Sequence, residues 1–487
     1  MNRLIGRTIE QQELTDIFNS KKAEFVVVYG RRRVGKTFLI EQFFNAKKCI
    51  YFYATGVQDG LLKEQLFEFA KAIGQTFYHG ATIATPTTWL QAFDELNKAI
   101  NSLPSSKKIV LFIDELPWMA TKRSRMLQGL DYYWNHDWSK NENIKLIICG
   151  SSASWIIKNI IYNKGGLHNR YTCSLLIKPF SLSESKAFLA SRDITVSNKQ
   201  LLQLYMAIGG IPHYLDRVKK NLSITQNIEA LCFKETGFLF SEFDKLFKSL
   251  FDDAKVYIEL IRIIATSREG VSRALIETRS KLSQKGGTLT DRLTDLEQAG
   301  FIKSFLPLKH QRQGMYYRII DEYTYFYLKW IEPEKHILLS NEVGHHYWVH
   351  QTHSAAYHAW MGYAFESICY KHLAQIQKTL NIPMGSKAGT WRHLAKNSSQ
   401  DSGAQIDLLF ERSDDAVTLC EIKCTDEPFT IDKNVYNLLM KKAAVYQQIT
   451  KTTKQVFIAF ISANGLKKSA YAHKITGVVT LADLLQE

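Results

Sequence analysis

The chain has 487 residues, 45% of them apolar and 22% charged, with a formal net charge of +15. These proportions are ordinary for a soluble globular protein of about three or four domains, and the basic balance suits a polyanion: nucleic acid first, with a nucleotide or an anionic membrane surface as alternatives. Seven scattered cysteines without a CxxC pair and the lack of any apolar run near ~18 residues argue against a disulfide framework and a transmembrane helix; with no apolar signal core at the N-terminus, the expected location is the cytoplasm, with no membrane partner.

In chain order, residues 7–19 read as a helix with Leu14, Ile17 and Phe18 on one face. The apolar strand Phe25–Tyr29 then runs into Gly30-Arg31-Arg32-Arg33-Val34-Gly35-Lys36-Thr37, and an amphipathic helix follows. This is the GxxxxGK[ST] pattern in a strand–loop–helix setting. Its glycines permit a tight turn that aims backbone N–H groups at one point, and the helix N-terminus adds positive potential. The residues predicted to cradle a polyphosphate are Gly30 to Phe38. Lys36 is expected on the β- and γ-phosphates and Thr37 on Mg²⁺.

Further apolar strands are predicted at 49–54, 108–116 and 143–152, with helices at 61–73 and 89–100. Fully apolar strands alternating with helices imply a parallel sheet covered on both faces. Asp114 and Glu115 end one strand, at the edge where α/β sheets bind ligands. Asp114 is expected to hold Mg²⁺ and Glu115 to polarise the attacking water, making Glu115 and Lys36 catalytic candidates. Ser151 or Ser152, ending the next strand, is placed to meet the γ-phosphate or that water.

The segments YGRRRVGKT, FIDELPWM, ICGSSASWI and GGIPHYL resemble the archaeal-type ATPase branch of the AAA+ superfamily over nearly the whole chain. The resemblance implies an ATPase core over residues 1–178, a helical lid over 179–248, a winged helix over 249–332, and an α/β restriction-endonuclease-like domain over 333–487. It also implies ATP with Mg²⁺, and it places Arg170 where such enzymes carry an arginine finger acting in trans in a homo-oligomer.

Helices are predicted at 182–190 and 199–208, with Gly209, Gly210 and Pro212 breaking the pattern. Helices at 252–266 and 271–282, a third opened by Gly286 and Gly287 and ended by Gly300, and two β-type runs together form a winged-helix pattern. Lys309, His310 and Arg312 sit on its wing. Its third helix carries Asp291, Asp295 and Glu297 beside Arg292, poor chemistry for a phosphate backbone. Residues 322–331 read as an aromatic helix suited to domain packing. His345, His346, His350, His353 and His358 cluster without an acid or cysteine to complete a zinc set.

A second chemical constellation follows. Glu366 lies on a helix predicted over 356–376, and 405–412 and 416–423 read as a hairpin. Pairing symmetric about Asp414 sets Asp407 opposite Glu421, with Lys423 on the same face as Glu421. Two close carboxylates between apolar neighbours repel unless a cation separates them. These residues resemble the PD-(D/E)XK nuclease fold, although Ile406 replaces its usual proline. The resemblance implies that Asp407, Glu421 and Glu366 bind Mg²⁺ and that Lys423 steadies the water or the scissile phosphate. Two functions are consistent with the sequence: an ATP-driven enzyme acting on DNA with a metal-dependent nuclease, or an ATP-dependent switch or scaffold whose nuclease-like domain only binds.

Overall fold

The computed structural model describes residues 4–104, 106–162, 167, 170–267, 269–280, 287–306, 308, 314–339, 346–393 and 403–486. The chain divides into two compact units. The first comprises Met1–Pro179, Ile211–His213 and Thr290–Gly300; the second comprises Phe180–Gly210, Tyr214–Leu289 and Phe301–Glu487. Lys309, His310, Arg312, His345, Leu282 and Gly286 lie outside the described residues.

In the first unit the strands are β1 (Glu24–Tyr29), β2 (Ile50–Thr55), β3 (Ile109–Asp114), β4 (Ile144–Cys149) and β5 (Cys173–Leu176). They pair in the order β2-β3-β4-β1-β5, all parallel. Phe25, Val27, Leu111, Ile113, Leu146 and Ile148 turn to one core, shared with helices Leu62–Phe77, Trp89–Asn101 and Met126–His136. Val26, Val28, Val110, Phe112 and Ile147, the alternate residues, are equally buried, so both faces are covered. That is why these strands are apolar throughout. Strand β4 sits between β1 and β3, which brings three carboxyl ends together. β5, a short edge strand with alternating exposure, carries too little apolar sequence to be foreseen.

In the second unit β6 (Val271–Ser272), β7 (Ile302–Phe305) and β8 (Tyr316–Ile319) form an antiparallel sheet ordered β6-β8-β7. A second sheet contains β9 (Lys387–His393), β10 (Ala404–Glu411), β11 (Ala416–Lys423), β12 (Gln455–Ser462) and β13 (Gly477–Val479). Its order is β13-β12-β11-β10-β9. β9, β10 and β11 are antiparallel neighbours; β11, β12 and β13 are parallel. The parallel step from β11 to β12 is bridged by helix Lys433–Thr450, which sequence reading did not pick out. Its Leu439, Ala443 and Tyr446 close a core with Leu409, Leu419, Ile458 and Phe460.

Three predicted helices are corrected. Residues 271–282 begin as strand β6, because Val271 pairs with Tyr317; only then does helix Arg273–Arg279 start, capped by the Ser272 hydroxyl. Residues 356–376 are two helices, Ala355–Lys371 and Leu373–Thr379. They part at buried His372, whose Nε2 accepts the Leu182 N–H at 3.4 Å. Helix Glu322–Phe326 continues as a π-turn, Tyr327–Ile331. Its aromatic residues belong to the core of this unit, with Trp330 edge-on to Trp348 and Trp360.

Candidate nucleotide site and a second carboxylate site

The loop between β1 and helix Lys36–Asn45 needs unusual backbone at three positions. Gly30 has φ 142°, Arg33 φ 72° and Gly35 φ 86°. A Cβ on Gly30 would collide with the Ile177 carbonyl oxygen, so glycine is required there by φ and by space. The loop folds around Lys36, whose ammonium donates to the Gly30 and Arg31 carbonyls at 3.0 Å each. Arg31 and Val34 are buried, Arg32 and Arg33 half-buried, and Phe38 is exposed at the first turn of the helix. Arg7 was not recognised from sequence. It is buried, and its Nη2 donates to the Val34 carbonyl at 3.0 Å, bracing the loop from outside. The available signal was Gly6-Arg7 just before the first helix.

The acids meet the loop as β3 ends. Thr37 Oγ1 donates to Asp114 Oδ2 at 2.6 Å. Glu115 takes left-handed backbone, φ 46°, with its N–H on Asp114 Oδ1 at 2.9 Å. Its carboxylate accepts the Ser151 N–H at 3.0 Å and the Ser151 hydroxyl at 2.8 Å. The inserted strand β4 thus fixes Glu115 through Ser151, while Ser152 caps the following helix. Hydroxyl and carboxylate oxygens are hard donors, so Thr37 and Asp114 fit Mg²⁺ by type. Arg170, just ahead of β5, is exposed.

The second site lies in the second unit. The β10–β11 ladder pairs Leu408 with Cys420 and Glu411 with Val417, which is symmetric about Asp414. One further step of that register sets Asp407 opposite Glu421. Asp407 Oδ2 accepts the Ile422 N–H at 3.0 Å. A register shift against β9 between Ile406 and Leu409 distorts β10 at this residue. Glu421 is almost fully buried and held by two ammonium groups, Lys423 at 2.8 Å and Lys442 at 2.6 Å. Lys442 comes from helix Lys433–Thr450 and was missed, since nothing in its local sequence links it to a strand end twenty-one residues away.

The electrostatics differ among the three acids. Burial pushes Glu421 up, but Lys423 and Lys442 outweigh it and hold the carboxyl below the usual range. Burial and then Glu421 push Asp407 up. Burial, with Asp407 beside it, pushes Glu366 up to about 8, so Glu366 carries a proton at neutral pH. Arg318 on β8 opposes that shift, lies 3.8 Å from the Tyr370 ring, and lines a cleft of about 60 Å³ with Glu366. The Tyr370 hydroxyl donates to the Asp407 carbonyl at 2.6 Å. Among the described residues no three Cys, His, Asp or Glu side chains converge as a metal-holding group.

The first unit is a parallel-sheet α/β fold carrying a phosphate-loop site, the construction of a P-loop ATPase domain. Residues 4–218 match the family described as an ATPase domain predominantly from Archaea, and residues 327–437 match a family described as archaeal and bacterial proteins of unknown function. An uncharacterized protein of Methanocaldococcus jannaschii is 27% identical over 449 residues, spanning 90% of this chain and 91% of its own length. An uncharacterized ATP-binding protein of the same organism is 46% identical over 44 residues, 9% of this chain and 75% of its own. Among solved structures, a Walker-type ATPase of Pyrococcus abyssi is 19% identical, with TM-score 0.48, covering 67% of this chain and 96% of that one. The ORC2 protein of Aeropyrum pernix is 15% identical, with TM-score 0.43, covering 70% and 96%. No described helix is long and apolar enough to cross a membrane.

Proposed function

We propose that the chain is a Mg²⁺-dependent ATPase of the AAA+ type that acts on DNA. The observation that carries the reading is the single constellation of Lys36, Thr37, Asp114, Glu115 and Ser151 where three parallel strands end. Lys36 exchanges its loop carbonyls for phosphate oxygens. Thr37 and Asp114 hold Mg²⁺, which when bound offsets the charge on the phosphates. Glu115, fixed by Ser151, orients the attacking water and receives its proton. Arg170 acts across a homo-oligomer interface on the neighbouring nucleotide. The test is ATP turnover with and without Mg²⁺ in wild type, Lys36→Ala and Glu115→Gln. Undiminished ATP binding by Lys36→Ala would refute the site.

In the same proposal residues 333–487 form a PD-(D/E)XK-type domain, 249–332 a winged helix and 179–248 a lid. Support comes from a mixed sheet with helix Ala355–Lys371 before it, and from Asp407, Glu421 and Lys423 gathered at one strand edge. One observation favours the second reading, an ATP-dependent switch or scaffold whose nuclease-like domain only binds nucleic acid or a protein: both ammonium groups already satisfy Glu421. Mg²⁺-dependent cleavage of plasmid and single-stranded DNA, with and without ATP, separates the two.

A further inference from the structure

From Lys433 to Thr480 the chain carries eight lysines, Lys433, Lys441, Lys442, Lys451, Lys454, Lys467, Lys468 and Lys474, and no acid. The topology gathers part of this charge. β11 and β12 are parallel, with Lys423 paired to Ser462 at their carboxyl ends. Helix Lys433–Thr450, which connects them, therefore starts at that edge, and the loop after Ser462 leaves from it. The loop is pinned there. Phe429 bridges to Leu466, Asn464 Nδ2 donates to the Thr425 carbonyl at 2.7 Å, and Ser469 Oγ donates to the Ile431 carbonyl at 2.8 Å.

Within the pinned edge Tyr436 and Tyr471 pair with ring centroids 5.3 Å apart. The Lys474 ammonium lies 5.0 Å from the first centroid and 5.4 Å from the second. Lys433, Lys467, Lys468 and Lys474 are exposed. Among the described residues none has a carboxylate within ion-pair distance. The nearby acids are partly committed. Asp432 caps the helix through the Val435 N–H, and Asp426 pairs with Lys199, which leaves Glu427. A solvated lysine face needs no aromatic pair and no pinned loop. Both rings also pack against the core. Lys474 over them, with Lys433, Lys467 and Lys468 exposed on the helix start and loop that carry them, is the chemistry of a strand-binding platform, where phosphates meet ammonium groups and bases meet π-faces.

We infer that this edge, with Lys433, Lys467, Lys468 and Lys474 around Tyr436 and Tyr471, is a binding surface for a single-stranded nucleic acid, delivering the strand to the edge that carries Lys423. The inference rests on the reading that the chain acts on nucleic acid and names where it does so. Binding is electrostatic and tolerant of sequence.

The test is fluorescence anisotropy of the full chain with labelled oligothymidylate and oligouridylate across a salt series. Lys467→Ala with Lys468→Ala should reduce the log–log salt slope by about 1.4, two single-strand phosphate contacts. Tyr436→Ala with Tyr471→Ala should weaken binding about tenfold and leave the slope alone. ATP turnover should match wild type in both variants, and the melting temperature in the lysine variant; the tyrosine rings also pack against the core, so their variant is checked for native fold by circular dichroism. Preference for either sugar supports the surface and identifies the strand. Wild-type binding undiminished in both variants overturns the surface and leaves the nucleic-acid reading standing. Failure of the wild type to hold either strand overturns the surface; failure to hold duplex DNA as well overturns the nucleic-acid reading. Equal, tyrosine-independent binding of anionic lipid vesicles overturns it in favour of a general polyanion face.

Discussion

The two sites place the same residue types at the same kind of location and treat them in opposite ways. Each has a carboxylate near the carboxyl end of a strand, Asp114 on β3 and Glu421 on β11, and a lysine in the same site. In the first unit Lys36 is held by carbonyl oxygens, and the acids engage hydroxyls: Asp114 with Thr37, Glu115 with Ser151. Among the described residues no ammonium lies within ion-pair distance of either acid; under the proposed function Mg²⁺ and phosphate complete the charge. In the second unit the ammonium groups go directly to a carboxylate, Glu421, and burial keeps Glu366 protonated. The first arrangement leaves its acids on hydroxyls, whereas the second already pairs its buried acid with ammonium groups. An acidic strand end is therefore poor evidence of catalysis until the partners of its acids are known.

The largest expected effect is at the first site. Lys36→Ala should abolish measurable nucleotide binding. Glu115→Gln should bind ATP and lose roughly a hundredfold or more in turnover, read in a steady-state phosphate-release assay. If Glu115→Gln turns over like wild type, the water-orienting role moves elsewhere and the contrast between the sites weakens. The second comparison is independence. Asp407→Ala and Lys423→Ala should leave ATP turnover unchanged, and any Mg²⁺-dependent DNA cleavage should vanish in both. Loss of ATP turnover in these variants would mark the hairpin as structural support for the nucleotide site.

A smaller effect tests whether the ion pairing of Glu421 stabilises the fold. Lys442→Met keeps the side-chain volume and removes one of two cations from a buried carboxylate. Breaking half of this partly buried arrangement should cost about 1–3 kcal/mol, discounted because Lys423 remains, and should lower the melting temperature by several degrees. No change would mean that Lys423 alone satisfies Glu421. The smallest effect is on pH. His372 is buried, with Nδ1 on the Ile368 carbonyl and Nε2 accepting the Leu182 N–H, so burial holds it below the ordinary histidine value of 6.5. The unfolded chain takes up this proton first as pH falls, so stability is lost below that value and regained above it. Melting should fall between about pH 7 and about pH 5 in wild type, and by less in His372→Gln. An identical pH slope in the two proteins would show that His372 does not titrate in this range.

Much of the first site could be read directly because it is short-range. Gly30 to Thr37 is one contiguous turn whose chemistry is local, and Asp114 and Glu115 are adjacent on a recognisable strand. What escaped there came from other elements: Arg7, bracing the loop at Val34, and the role of Ser151 in holding Glu115. At the second site the hairpin register followed from symmetry about Asp414, because a short turn fixes its own pairing. Lys442 did not follow, nor did the helix break at His372, since a helix pattern gives no signal of a buried partner on another segment.

By itself, then, the amino-acid order determined the alternation of apolar strands and helices, the phosphate loop and the face shared by Glu421 and Lys423. These depend on backbone geometry and side-chain periodicity within a few residues. The tertiary structure decided that β4 inserts between β1 and β3 and so delivers Ser151 to Glu115. It decided that Lys442 neutralises Glu421 and that the lysines after Ser462 gather at the edge of Lys423. Each of these is a meeting of groups far apart in the chain, and whether a charge meets a hydroxyl, a carboxylate or solvent is fixed by packing.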